Sequence, residues 1–294
     1  MPLMNYAKGI FAIFIFGLNT LLSSMLLYPF LFFKVISPTQ KLKDKFNHWM
    51  ILIGEIWISI NNFTLDLTQN IQWDVKGLEG LQKDRSYLIL VNHQTWMDIV
   101  ILQYILNRKI PFIRFFLKKE LIYVPLLGLA WWALDFPFMK RYSLKELRKN
   151  PERRKEDFET ARNTGLKFRN SSVSILSFLE GTRFTIAKHQ TQKSPYQNLL
   201  VPKVGGVSAV LQGMGENFYS VVDVTIIYPD GVVNLLQAFM GRLRHTQVII
   251  RQLDVPTNLI SGDYFNDPHY RQNLQSWVRN IWSEKDKIIS EANS

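Results

Sequence analysis

The chain has 294 residues, a formal net charge of +11, 47% hydrophobic and 13% aromatic side chains, and no cysteine. Length and apolar content suffice for one large core, with or without an appendage. The absence of cysteine excludes disulfides, zinc thiolates and thiol nucleophiles. The charge favours an anionic partner: nucleic acid, an anionic membrane or a phosphorylated substrate.

The first element is "IFAIFIFGLNTLLSSMLLYPFLFF", Ile10 to Phe33, which carries no charge and is long enough to cross a hydrocarbon core. It exceeds a usual signal-peptide h-region, and no small-residue cleavage site follows it. Lys34, Lys41, Lys43 and Lys45 come after it, against Lys8 alone before it. The positive-inside bias therefore places its C-terminal side in the cytoplasm. An uncleaved membrane anchor is expected. Asn19, Thr20, Ser23, Ser24 and Pro29 interrupt the run, so spanning, tilted and re-entrant forms stay open.

Next comes "DKFNHWMILIGEIWISINNF", where Trp49, Ile53, Ile56, Trp57 and Ile60 fall near helical spacing. With the lysines before it, this reads as a helix on the membrane surface, or one packed on the core. The domain boundary is set here, with residues 1–62 as anchor and amphipathic helix and 63–294 as an α/β domain.

From about Phe63 short elements alternate. "YLILVN" reads as a buried strand and "WMDIVILQYILN" as the helix after it. "PFIRFFLKKEL" reads as strand then turn, "VPLLGLAWWAL" as a helix, and "FPFMKR" as a short strand. "NPERRKEDFETARNTGLKFRN" is a charged helix with Pro151 at its start. "SVSILSFLE", "YSVVDVTIIYP" and "TQVIIRQLDV" are further strands, and "HYRQNLQSWVRNIWSEKDKIISEAN" is an amphipathic terminal helix. The expected fold is α/β, a mostly parallel or mixed sheet flanked by helices, behind an N-terminal membrane-associated helical pair. In such sheets chemistry sits beyond the carboxyl ends of strands. His93 and Glu180 both follow apolar strands, which makes them candidates for one site.

Four polar features stand out. In "NHQTWMD", Asp98 lies about one helical turn beyond His93 and can hold one ring nitrogen. The other nitrogen is then free to take a proton from a hydroxyl. Spacing of this kind also describes a plain structural pair. In "FLEGTRFT", Gly181 permits a tight turn and Arg183 offers a planar fork suited to phosphate. Glu180 there is placed to hold that arginine or to meet an acceptor hydroxyl. Arg114, Lys118 and Lys119 precede a Pro-Gly stretch that leads to "FPFMKR". Pro202 and Lys203 precede two glycines in "LLVPKVGG".

Taken in order, these four blocks resemble those of the glycerolipid acyltransferase family, which includes the lysophosphatidic acid acyltransferases of the PlsC type. "EGTRFT" followed by "SPYQNLLVPKVGG" is most similar to the branch holding the bacterial YihG-type enzymes and the larger eukaryotic members. The resemblance covers roughly Leu65 to Tyr228. It implies transfer of an acyl chain from acyl-CoA or acyl carrier protein to the hydroxyl of a lysophospholipid, lysophosphatidic acid foremost. By that resemblance His93 is the general base and Asp98 orients it. Arg183 binds phosphate, with Glu180, Gly181 and Thr182 shaping the pocket. Arg141 and Lys119 assist the acceptor, and Pro202 lies near the acyl site. "VPLLGLAWWAL" either lines an acyl tunnel or is plain core. The implied place is a bacterial inner membrane, with the catalytic domain facing the cytoplasm.

In one respect the chain departs from the family. Many members carry arginine or threonine-lysine in the fourth block, where this chain has "PKVGG". No cofactor or metal is expected: His48, His189, His245 and His269 are scattered and lack ligand spacing. Nucleic acid is not an expected partner, because the basic residues of 146–169 alternate with acids. Another lysophospholipid or lipid acceptor, or a non-catalytic lipid-binding role at the membrane surface, are the alternatives.

Overall fold

The computed structural model describes residues 2–140, 142, 146, 149–150 and 152–293, less the side chains of residues 2–5 and 154. Arg141, expected at the acceptor phosphate, and Pro151, expected at a helix start, lie outside the described residues.

Two long helices open the chain, α1 (Pro2–Ile36) and α2 (Gln40–Thr68). Both are long and apolar enough to cross a membrane by length and composition, with an 18-residue stretch of mean hydropathy 2.1 inside Tyr6–Ile36 and one of 1.2 inside Gln40–Thr68. They pack as an antiparallel pair. The polar interruptions of α1 face its partner: the Asn19 amide donates to the Trp57 carbonyl at 2.9 Å and to Asn61 Oδ1 at 2.8 Å. Ser23 donates to Asn19 Oδ1. The helix to strand transition falls after Thr68, later than the expected 62/63 boundary.

Six strands follow in the main sheet: β1 (Gln72–Lys76), β2 (Tyr87–Val91), β3 (Ile113–Phe115), β6 (Ser174–Phe178), β7 (Ser220–Ile227) and β8 (His245–Leu253). Their order is β1-β8-β7-β2-β6-β3. All pairings are parallel except β7 with β8. Every residue of β2 is buried, as a strand covered on both faces requires. A small parallel pair, β4 (Leu117–Lys118) with β5 (Phe138–Met139), sits apart.

The two faces carry separate cores. Tyr87, Ile89 and Val91 pack toward α1, α2, α3 (Met97–Leu106) and α4 (Leu127–Ala133). Leu88 and Leu90 pack toward α5 (Arg153–Phe168), α7 (Gly205–Met214) and α8 (Pro268–Ala292). A short helix α6 (Ile186–Gln192) lies between. On this second face Asp223 is fully buried between Arg251 and Lys285, at 2.6 and 2.7 Å, which satisfies a charge that burial alone would not tolerate.

Two elements have little sequence signal. β1, "QWDVK", is a half-exposed edge strand with polar residues. α7 opens with two glycines and contains valines, all weak helix formers. Tertiary packing holds it: a Cβ on Gly165 of α5 would stand 2.8 Å from the Gly213 Cα of α7, so the helices touch backbone to backbone.

The helical pair is bound into the α/β domain at several points. Leu27 and Leu31 belong to the first core. Lys34 pairs with Asp135 at 2.9 Å, and Asp135 also pairs with Lys167 at 2.7 Å. Glu55 of α2 pairs with Lys83 at 2.8 Å. The outer face of α1 exposes Ile10, Phe14, Leu22, Met25, Leu26 and Phe32.

Candidate active site

β2 and β6 are parallel neighbours, with Val91 opposite Phe178. The residues that follow therefore emerge side by side beyond the strands' carboxyl ends, where parallel sheets hold their sites. Glu180 Oε1 accepts from the His93 backbone N–H at 2.9 Å, and Oε2 accepts from the Leu200 N–H at 3.1 Å. Phe184 N–H donates to the His93 carbonyl at 2.7 Å, and Lys203 N–H to the Leu179 carbonyl at 2.8 Å. The first, third and fourth sequence blocks are thus stitched together by backbone hydrogen bonds.

His93 Nδ1 lies 2.8 Å from Asp98 Oδ2. The same oxygen accepts from the N–H groups of Gln94 at 2.6 Å and Thr95 at 3.0 Å. A carboxylate in a first helical turn is well placed for this. Asp98 Oδ1 accepts from the Tyr228 hydroxyl at 2.6 Å. Burial and the neighbouring Asp98 charge push the Tyr228 phenol well above its ordinary range, so it stays a donor. Asp98 is fully buried and the imidazole is 14% exposed. The ring stacks on Phe178, centroids 3.9 Å apart and planes 19° apart. Its second nitrogen, Nε2, has no hydrogen-bond partner among the described residues. A buried carboxylate on Nδ1 and an open Nε2 equip an imidazole for general-base chemistry.

Asn92 has a separate task. Its side-chain amide pairs with both the N–H and the carbonyl of Ile226 on β7, each at 2.9 Å. That replaces a ladder rung, so β2 can stop pairing and turn toward His93 without orphaning buried backbone. Neither Asn92 nor Tyr228 was singled out as functional from the sequence. Asn92 had a signal, a polar side chain in the midst of "LILVN"; Tyr228 has none until β7 is placed beside β2.

Arg183 is exposed, and its guanidinium lies over the Trp96 ring, 5.1 Å from the centroid. Trp96 is itself 50% exposed. This contact holds an always-charged planar donor over a ring three residues along the chain from the histidine. Thr182 Oγ1 accepts from Lys188 Nζ at 2.7 Å, and Lys188 also donates to the Arg183 carbonyl at 2.9 Å. Gly181 has φ +69, and a Cβ there would stand 3.0 Å from Lys203 Nζ. The lysine of the fourth block therefore lies across the glycine of the third. Pro202 is half-buried just before it.

Glu180 differs from expectation. It is fully buried and both its oxygens are engaged by backbone N–H groups, so it supports the loops instead of holding Arg183 or reaching an acceptor. Burial pushes its pKa up to about 7, against the downward pull of the two amides. A raised carboxyl pKa favours folding fully below its unfolded value, about 4.3, and this contribution fades as pH rises through about 7. Between those limits the thermal stability of the wild type, measured against Glu180→Gln, is expected to fall with rising pH. A flat difference across that window would contradict the assignment.

A hollow of about 740 Å³ opens against the Phe178 to Gly181 turn. Phe116, Met139, Phe158, Leu179, Tyr264 and Phe265 give it apolar walls, and Lys203 stands on its lining. Its size is that of a small-molecule or lipid-chain site. "VPLLGLAWWAL" does not line it: Ala130 and Ala133 are buried in the opposite core, while Leu126, Leu129 and Trp132 are exposed. Lys119 is exposed at the start of a 3-10 turn and is also absent from the lining. Arg114 is buried and donates to the Leu134 carbonyl at 2.8 Å. Desolvation pushes its pKa down to about 10, and it serves the core rather than an anion.

The fold and site define an α/β domain that presents a carboxylate-held histidine at the strand ends, beside an arginine and an apolar hollow. The model of the Acyltransferase family matches residues 72–229, more than half of the chain, and the chain belongs to that family. A protein of Arabidopsis thaliana, described as probable 1-acyl-sn-glycerol-3-phosphate acyltransferase 5, is 25% identical over 246 residues, covering 80% of this chain and 60% of that one. The 1-acyl-sn-glycerol-3-phosphate acyltransferase delta of Bos taurus is 24% identical over 185 residues, 59% of this chain and 44% of its own length. The chain thus spans less than two thirds of these relatives. Among solved structures, the 1-acyl-sn-glycerophosphate (LPA) acyltransferase PlsC of Thermotoga maritima matches with a TM-score of 0.58. That match covers 99% of this chain and 98% of that one at 16% identity, a likeness of fold.

Proposed function

We propose that this protein transfers a fatty acyl chain from a thioester, acyl-CoA or acyl carrier protein, to the free hydroxyl of lysophosphatidic acid, giving phosphatidic acid. The observation that carries the reading is His93, fixed through Nδ1 by buried Asp98 with Nε2 left open. Nε2 takes the acceptor hydroxyl's proton as its oxygen attacks the thioester carbonyl. The carbon–sulfur bond then breaks and the proton passes to the departing thiolate. Arg183, supported by Trp96, binds the acceptor phosphate, and Lys203 at the mouth of the hollow adds positive charge. The apolar hollow takes an acyl chain. The names of the relatives agree with this substrate class, and the block pattern favours the branch with the YihG-type enzymes.

In this reading α1 lies along a bilayer instead of crossing it. The α/β domain touches α1 near its start, through Ala12 and Phe16 against Phe239, and near its end, through Lys34 and Asp135. A helix held by a folded domain over that length presents only its outer face to lipid. The acceptor then reaches His93 from the membrane surface, on the cytoplasmic side.

The test is phosphatidic acid formation by the full chain in membranes, supplied with lysophosphatidic acid and either donor. Turnover with lysophosphatidic acid, and a rise in acceptor KM of about tenfold or more for Arg183→Ala, is the expected result. Turnover only with other lysophospholipids would move the acceptor assignment. Silence with both donors across an acceptor panel would favour a non-catalytic lipid-binding role.

A further inference from the structure

Between β7 and β8 runs a long crossover, residues 228–244, anchored at both ends of its course. Near its start Tyr228 holds Asp98, and the Val233 carbonyl accepts from Thr95 Oγ1 at 2.7 Å. Farther on, a reciprocal cap between Asn234 and Gln237 starts a short turn that continues as a π turn over Ala238–Arg242. There Phe239 is buried against α1 and α2. Its ring meets Phe16 edge-on at 4.9 Å, and its carbonyl accepts from Gln69 Nε2 at 2.9 Å. A Cβ on Gly9 of α1 would stand 2.6 Å from the Phe239 carbonyl oxygen, so the contact requires glycine.

Between these anchors the crossover turns apolar side chains outward. Val232, Leu235 and Leu236 are 52%, 38% and 58% exposed. The π turn that follows them, Ala238–Arg242, packs on α1, whose exposed residues include Ile10, Phe11 and Phe14. Lys8, Arg242 and Arg244 are exposed nearby and form no ion pair among the described residues. Lys8 and Arg244 line a polar hollow of about 940 Å³ with Gln69 and Gln72. Asp66 also borders it, with its Oδ1 accepting from the Tyr104 hydroxyl at 2.6 Å.

We propose that this crossover is a third membrane-docking element: Leu235 and Leu236 enter the acyl region of an anionic bilayer while Lys8, Arg242 and Arg244 meet lipid phosphates. Exposed leucines flanked by unpaired cations are the composition an anionic bilayer surface binds. The proposal rests on the reading that α1 lies on a bilayer. It adds that the loop bracing Asp98 and Thr95 is itself held at the lipid surface.

The natural chain has no cysteine, so one introduced cysteine takes a label cleanly. Leu236→Cys, Met25→Cys on the outer face of α1, and Ser172→Cys before β6 are each labelled with an environment-sensitive fluorophore in the full chain. Vesicles of phosphatidylglycerol and phosphatidylethanolamine carry brominated acyl chains as quencher. Strong quenching at 25 and 236 but not at 172 is the expected result. Quenching at 25 without 236 overturns the third element and leaves the α1 reading intact. Quenching at neither overturns both. Replacing the anionic lipid with phosphatidylcholine is expected to weaken partitioning by at least about threefold, and Arg242→Gln with Arg244→Gln to reduce that difference. Equal partitioning on both vesicles overturns the role given to the cations.

Discussion

Replacing His93 with alanine is expected to lower kcat for acyl transfer by about a hundredfold or more, the scale of losing a general base. The fold should survive. Asp98 keeps three donors, from Gln94, Thr95 and Tyr228, and the ring that disappears was stacked on Phe178 at the edge of the site. Arg183 and Trp96 are untouched, so the acceptor KM should change much less than kcat. Steady-state kinetics with a thermal melt of the same preparation make the test. A variant that is folded and still fully active would sink the base assignment and leave Nε2 without a role.

Asp98→Asn should be almost as damaging to turnover, for a different reason. Asn offers one acceptor oxygen and one NH₂ group. The oxygen can face the three donors on the Oδ2 side, from His93, Gln94 and Thr95. The NH₂ group then faces Tyr228, whose hydroxyl can rotate to accept. Geometry is largely kept, and the stability cost should be about 1–3 kcal/mol, the range for a disturbed buried hydrogen bond. What disappears is the negative charge that supports the imidazolium formed during proton transfer. A loss in kcat of about a hundredfold or more is expected from that charge alone, with the pH dependence of kcat displaced. If the variant melts near the wild type and works at wild-type rate, Asp98 is a structural cap and nothing more. Reversing the NH₂ group so that it faces the histidine would leave two N–H donors unpaired, and a large loss of stability would report that orientation.

Much of the site was legible because it depends on short-range pattern. "YLILV" and "SILSF" announce buried parallel strands, and the polar residues just after them had to meet at the sheet's carboxyl edge once β2 and β6 paired. The His93–Asp98 distance follows from a strand that turns into a helix. The role of Glu180 was hidden, since its partners are the backbone amides of His93 and Leu200, which carry no side-chain signature. Arg114 stood out only as one of three basic residues before a Pro-Gly stretch, because sequence spacing does not record that the Leu134 carbonyl waits for it. The helical continuation to Thr68 and the α7 helix escaped for a related reason. In both, packing against distant elements overrides weak local propensity. The interruption of α1 by Asn19 and Ser23 looked like hesitation in a membrane run and is the contact with α2.

Glu180 has one more consequence. Its two oxygens join chain positions 87 and 20 residues away, in a protein with no cysteine to form a covalent link. The carboxylate thus acts as a non-covalent cross-link that closes two loops at once. Its knot holds the His93, Gly181 and Leu200 segments as one unit of local opening. Amide exchange at His93, Phe184, Leu200 and Lys203 should therefore share a single protection energy, and the site should breathe as a whole rather than strand by strand.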